Sequence, residues 1–224
     1  MELRAEKISR EYFRKGRGTN VFTAVYETDL LLAGGSLTEI EGRSGSGKST
    51  LLNMAAGLLT PSSGRVLLDG EDLYAMDDAQ RAAVRNRKMG IIPQGQTTLR
   101  ALTVLENVLL PADLYKKQSP DRKKAEELLG LVGIGDLANV YPDELSGGER
   151  RRLAVARALM NDPGVVLADE PTADLDDENT RLVLQVLRDL SDRGTAVLLV
   201  THEPEAERYA DTVYRMNGGH LERV

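Results

Sequence analysis

Gly42-Arg43-Ser44-Gly45-Ser46-Gly47-Lys48-Ser49 fits the pattern G-x-x-x-x-G-K-[ST]. Before it, 37–41 reads as a brief strand; after it, 49–59 contains Leu51, Leu52, Met54, Ala55 and Ala56 and reads as a buried helix. Strand, glycine loop and helix is the context in which this spacing has a mechanism. Glycines let the backbone curl until successive N–H groups point at phosphate oxygens, and the helix adds the positive end of its dipole. Lys48 then reaches the β- and γ-phosphates, and Ser49 binds Mg²⁺. The competing reading is a Gly/Ser loop that only closes a β-α turn.

Further along, Val165-Val166-Leu167-Ala168-Asp169-Glu170 puts two carboxylates at the C-terminal end of an apolar strand, where ligands gather in open α/β sheets. Asp169 fits the acid that helps hold Mg²⁺, and Glu170, one residue on, points to the other side and can activate water. A second apolar run covers 196–200, and 178–190 between them is helical, which makes a β-α-β unit in a buried parallel sheet. Glu39 and Glu41 are out of place in a strand expected to be buried. A sheet edge or a contact with another subdomain is open to them.

The flanks supply the rest of the architecture. Stretches 3–8 and 21–32 are β-type, and Lys15-Gly16-Arg17-Gly18 between them reads as a flexible turn of an antiparallel sheet. Pro61 and Gly64 mark a turn, 65–68 a strand and Asp69-Gly70 a second turn, a hairpin-like return to that sheet. Helical patterns cover 77–87, 103–110 and 120–131, and a helical insert spans about 95–160. Near the end, 213–216 and 220–224 flank Asn217-Gly218, a hairpin signal.

Composition narrows the function. The 224 residues, 41% hydrophobic and 29% charged, can bury a core, which excludes disordered and collagen-like classes. No apolar run approaches the roughly 18–20 residues of a membrane-spanning helix. The first residues mix charges with no apolar stretch after them, so no secretory signal is expected and the cytoplasm is the expected address. The absence of cysteine removes disulfides and thiolate metal sites. A net charge of −6, no Trp and two Phe give no footprint for nucleic acid, which is not expected as a partner.

Leu145-Ser146-Gly147-Gly148-Glu149 precedes a helical stretch at 150–160. Alone it is an N-cap; beside a phosphate loop it is a second anion site at a helix N-terminus. With it the chain resembles, over nearly its full length, the nucleotide-binding subunit of ATP-binding cassette transporters. The resemblance rests on the Walker A loop from Gly42 to Thr50, Gln94 in Ile91-Ile92-Pro93-Gln94, the signature Ser146-Gly147-Gly148-Glu149, the Walker B strand ending Asp169-Glu170, the D-loop Ala173-Asp174-Leu175-Asp176 and the switch His202.

What the resemblance implies is an α/β fold over 1–224: a P-loop NTPase with a RecA-like core, an antiparallel β subdomain and an α-helical signature subdomain. It implies ATP and Mg²⁺ as cofactors, with Ser49, Gln94 and Asp169 at the metal. An aromatic residue stacks on adenine, Tyr12 being the better match and Phe13 the competitor. Glu170 becomes the general base, His202 orients it and contacts the γ-phosphate, Lys48 holds the phosphates, and Gln94 links to the helical subdomain. Two copies pair head to tail, each ATP lying between one Walker A loop and the other copy's Ser146-Gly147-Gly148. A membrane permease on a separate chain is implied, with this subunit peripheral on the inner face of the cell membrane.

Within that family the Thr103-Val104-Leu105-Glu106-Asn107-Val108 and Tyr141-Pro142-Asp143-Glu144 stretches resemble the lipoprotein-releasing, macrolide-export and antimicrobial-peptide-export group. The alternative is a soluble cassette ATPase acting as an assembly factor. Three positions depart from the usual pattern: Pro93 replaces an aromatic, Glu149-Arg150-Arg151-Arg152 replaces a Gln-rich run, and Asp174 stands where a small residue or Asn is usual. Arg150, Arg151 and Arg152 read as a solvated helix face.

Overall fold

The computed structural model describes residues 1–16, 18–95, 97–114 and 121–224. The chain runs through β1 (Glu2–Gly16), β2 (Gly18–Ala33), β3 (Leu37–Glu41), α1 (Lys48–Ala55), β4 (Ser63–Leu68) and β5 (Glu71–Asp72). It continues through α2 (Asp78–Lys88), β6 (Met89–Ile92), α3 (Val104–Leu114), α4 (Arg122–Leu131) and α5 (Gly147–Ala158). The last elements are β7 (Val165–Asp169), α6 (Asp177–Asp192), β8 (Ala196–Thr201), β9 (Thr212–Asn217) and β10 (His220–Arg223).

An antiparallel sheet has the order β2-β1-β4-β5, and a second sheet the order β10-β9-β3-β8-β7-β6. In the second, β9, β3, β8, β7 and β6 are parallel, with β10 antiparallel at one edge. Successive side chains of β7 and β8 enter different cores. Val166, Ala168, Val197 and Leu199 pack with the helices of the second half, α3 to α6, while Val165, Leu167, Leu198 and Val200 pack with α1 and the antiparallel sheet. Burial of both faces is why these strands read as unbroken apolar runs. Among the described residues no helix is long and apolar enough to cross a membrane.

Several local readings shift. The N-terminal strands are longer than 3–8 and 21–32, forming one hairpin with Tyr12 opposite Phe22 and Phe13 opposite Val21. Within 15–18, read as a flexible turn, Arg17 lies outside the described residues. Helix α1 stops at Ala55 rather than 59, because Gly57 turns left-handed (φ 67°) and the amides of Leu58 and Leu59 both bond back to the Asn53 carbonyl. Strand β6 has no sequence signal: four residues that abut a helix are too few to show alternation. Pro120, read as the start of a helix, lies outside the described residues, and α4 is capped instead by the Asp121 carboxylate.

At the C-terminal hairpin His220 pairs with Asn217, so the turn residues are Gly218 and Gly219 (φ 55° and 89°), one position later than Asn217-Gly218. Two successive left-handed residues match the twist of a two-residue hairpin, and Asn217 stays in the strand. Arg150, Arg151 and Arg152 are not a solvated face. Their guanidiniums donate to backbone carbonyls: Arg150 to Leu145 at 2.6 Å, Arg151 to Pro93 at 3.3 Å, Arg152 to Gly133 at 3.2 Å. Spacing alone gives no sign of the Arg151 and Arg152 acceptors, which come from segments elsewhere in the fold, whereas Arg150 folds back on the residues just before its own helix.

Glu41 and Glu39 separate in fate. Glu41 lies opposite Arg215 on β9 and forms an ion pair with it at 2.6 Å. Glu39 is 3% exposed on the face of Leu37, and its Oε2 has no hydrogen-bond partner among the described residues. Burial, reinforced by the charges of Glu41 and Glu207, pushes its pKa up to about 7.

Candidate functional site

Strands β3, β8, β7 and β6 are parallel neighbours, so their C-terminal ends meet at one edge. From that edge the chain delivers the phosphate loop after β3, His202 after β8, Asp169 and Glu170 at the end of β7, and Gln94 after β6. A cavity of about 530 Å³ opens there. It is lined by the loop from Arg43 to Thr50, by Gln94, Glu170 and His202, and by Tyr12 and Phe22.

The loop has room for only glycine at its tight points. A Cβ on Gly42 would sit 2.3 Å from the Met216 carbonyl oxygen, and one on Gly47 (φ 109°) 2.3 Å from that of Ala24. Gly47 is also the N-cap of α1, so that helix begins at Lys48 with free amides facing the loop. Lys48 Nζ donates to the carbonyls of Gly42 at 2.6 Å and Arg43 at 3.2 Å, which holds its ammonium across the loop mouth.

Glu170 is 7% exposed and left-handed (φ 50°), a conformation a non-glycine residue holds only when its surroundings enforce it. Its amide donates to the Val200 carbonyl at 2.8 Å. Nδ1 of His202 lies 3.0 and 2.9 Å from its two carboxylate oxygens, and the Thr201 hydroxyl donates to Oε2 at 3.3 Å. A carboxylate only accepts, so the proton is on Nδ1 and the Nε2 edge of the ring is left for another partner. Asp169 stands beside it, 4% exposed, its buried Oδ1 without a hydrogen-bond partner among the described residues. Burial raises its pKa against the opposing effect of the Ser49 hydroxyl.

Not every expected residue reaches this cavity. Tyr12 does; Phe13, 83% exposed, does not. Phe22 also lines it and was not anticipated, because its role follows from the hairpin register opposite Tyr12. Gly42 and Asp169 are absent from its lining, as are Asp176 and the signature residues Ser146, Gly147, Gly148 and Glu149, which are expected only at the other copy's nucleotide. Ser146 caps α5 in a reciprocal box: its hydroxyl accepts from the Glu149 amide, and Glu149 Oε2 accepts from the Ser146 amide at 2.7 Å. The Ser146 amide, with its hydroxyl second, holds the Glu149 carboxyl below its usual range. The start of α5 abuts the 173–176 turn, where a Cβ on Gly148 would be 3.0 Å from Leu175. Asp176 in turn caps α6 by accepting from the Asn179 amide at 2.8 Å. Asp174 is left-handed (φ 66°), which Asp tolerates much as Asn does, so this departure keeps the backbone of the turn.

The ABC transporter family profile matches residues 26–173. The lipoprotein-releasing system ATP-binding protein LolD of Shewanella sp. (strain MR-4) is 42% identical, covering 99% of this chain and 96% of the relative. An uncharacterized ABC transporter ATP-binding protein of Methanocaldococcus jannaschii, MJ1508, is 40% identical over 93% of this chain and 94% of its own. The dimeric post-hydrolysis structure of the ATP-binding cassette MJ0796 bound to ADP and Pi superposes with a TM-score of 0.92 at 32% identity, covering 99% of this chain and 98% of that one. Arg43 to Thr50, Gln94, Glu170 and His202 line one cavity, and the chain belongs to the ABC transporter family, as a nucleotide-binding, ATP-hydrolysing subunit.

Proposed function

We propose that this subunit powers a membrane permease of the export or extraction type, carried on a separate chain, by closing head to tail with a second copy around two ATP molecules. The observation that carries this is a division within one chain: Lys48, Glu170, His202 and Gln94 share a cavity, while Ser146-Gly147-Gly148 lie outside it at an exposed helix N-terminus. One copy therefore holds half of each site. The relatives named for lipoprotein release and the dimeric cassette structures support the reading.

In the closed pair the loop amides and Lys48 bind the β- and γ-phosphates, and the second copy's Ser146 and the glycines after it bring further donors to the γ-phosphate. Glu170, its orientation fixed by His202, accepts a proton from the attacking water. The nucleobase lies against Tyr12 and Phe22. The buried, unpartnered Oδ1 of Asp169 beside the Ser49 hydroxyl fits a hard cation, and Ser49, Asp169 and Gln94 are the residues that would hold Mg²⁺. That ion, when bound, neutralises phosphate charge.

We read 1–224 as one domain whose helical part spans about 95–160. The permease contact we assign to a groove of about 330 Å³ between α2, α3 and α5, lined by Arg85, Asn86, Pro111, Leu114 and Arg157. It adjoins the Gln94 segment, because Arg157 bonds Thr97. With that contact we read the subunit as peripheral on the inner face of the cell membrane. The test is to express tagged Glu170→Gln in the native host, solubilise membranes in mild detergent with ATP and Mg²⁺, and identify what co-purifies. A polytopic permease is expected; a soluble partner with no membrane protein would overturn the reading.

A further inference from the structure

A cation lies against the Tyr12 ring without being part of the cavity lining. Arg10 is half-buried on β1, two residues before Tyr12, and its Cζ lies 4.7 Å from the centroid of the Tyr12 ring. Its Nη1 donates to the Thr60 carbonyl at 2.8 Å, and its Nε is buried. Thr60 belongs to the segment after α1, and that segment is laced to β1: the Ser62 amide donates to the Ser9 carbonyl at 2.8 Å and the Glu11 amide to the Ser62 hydroxyl at 3.1 Å. Arg10 is thus anchored at one end to the chain that follows the phosphate-loop helix and rests at the other on the aromatic ring.

Tyr12 lines the cavity, and Arg10, which lies against the Tyr12 ring, does not. We propose that Arg10 is a positioning residue for nucleobase binding: it backs one face of Tyr12, fixes the plane of the ring, and so presents the opposite face to a purine. This rests on the nucleotide reading of Tyr12 and adds the residue that orients it.

Two physical effects act together. An exposed tyrosine at the edge of a hairpin samples several rotamers, and a stacked, anchored guanidinium selects one, which removes an ordering cost from ligand binding. A cation over one face also draws π-density toward itself, leaving the other face better suited to an electron-rich base. Neither effect reaches the phosphates, which are held at the far end of the cavity. Arg10 therefore acts on the base and not on the triphosphate.

The experiment measures equilibrium binding of ATP and of inorganic tripolyphosphate to the whole chain by calorimetry. Arg10→Gln, which keeps a donor for Thr60 but loses the charge, is expected to weaken ATP about two- to fivefold, the range of an exposed cation–π contact. Tripolyphosphate affinity is expected to stay at the wild-type level, and Arg10→Lys to recover most of the loss. In a Tyr12→Leu background, Arg10→Gln is expected to change nothing further, because its effect passes through the ring. Equal losses for ATP and tripolyphosphate, or a full effect persisting without Tyr12, would overturn the proposal. If Tyr12→Leu weakens ATP while Arg10→Gln matches wild type, only the role of Arg10 fails; if Tyr12→Leu itself binds ATP as wild type does, the base-stacking reading falls and this proposal with it.

Discussion

Arg151 on α5 donates to the Pro93 carbonyl at 3.3 Å, so two positions at which the sequence departs from its family's usual pattern are one contact. Arg151 is 9% exposed, and further along the same helix Arg157 donates to both the carbonyl and the hydroxyl of Thr97, each at 2.6 Å. Gln94 lies between the two anchored residues. The helix capped by Ser146 is therefore bonded on both sides of Gln94, which lines the cavity.

Removing the second anchor should be costly. Burial holds the Arg157 guanidinium below its usual range, yet the group remains charged and satisfies two Thr97 oxygens. Arg157→Met leaves those acceptors without their donors and is expected to lower unfolding stability by about 2–3 kcal/mol. Urea denaturation reads this as a lower midpoint at unchanged slope. A loss below about 0.5 kcal/mol would show that the contact does not hold the segment.

Glu39 makes stability depend on pH. Its pKa rises from 4.5 to about 7 on folding, so its contribution is fully present below about pH 4.5 and is lost as pH climbs through 7. By pH 8 the difference is on the order of 3 kcal/mol. Glu39→Gln mimics the neutral carboxyl and is expected to be more stable than wild type at pH 8, with the gap closing at pH 5. Equal gaps at both pH values would remove Glu39 as the cause.

Lys48→Ala deletes the one lysine that, among the described residues, lines the cavity. Charge-assisted bonds to phosphate are strong, so ATP affinity is expected to fall at least about tenfold with no large change in fold stability. Calorimetric titration together with a thermal melt separates the two.

Ser146→Arg places a bulky cation at the exposed start of α5, outside the chain's own cavity. Each subunit is expected to bind ATP with wild-type affinity, whereas ATP-dependent dimerisation, read by light scattering, and hydrolysis are both lost. Wild-type turnover in this variant would contradict a site shared between copies.

The legible parts were those in which local chemistry and spacing coincide. The loop from Gly42 to Ser49 needs a strand before it and a helix after it, and both are present. Asp169, Glu170 and His202 follow apolar runs whose burial on both faces leaves no alternation to misread. What could not be read depends on register or on distant carbonyls. Phe22 joins the cavity only because the hairpin pairs it with Tyr12, β6 is too short to carry a pattern, and the acceptors of Arg151 and Arg152 come from other segments. The Gly218-Gly219 turn was misplaced by one residue because Asn-Gly and Gly-Gly both satisfy a two-residue turn, and only the pairing of His220 with Asn217 decides between them.

The most direct test of the account is single-turnover hydrolysis by Glu170→Gln, with ATP binding and dimer formation measured on the same sample. His202 Nδ1 and the Thr201 hydroxyl both donate to the carboxylate, and an amide at 170 keeps the shape but cannot take the proton of water. The account predicts retained ATP binding, a stable ATP-bound dimer and hydrolysis slowed by at least about a hundredfold. Hydrolysis at the wild-type rate would contradict it.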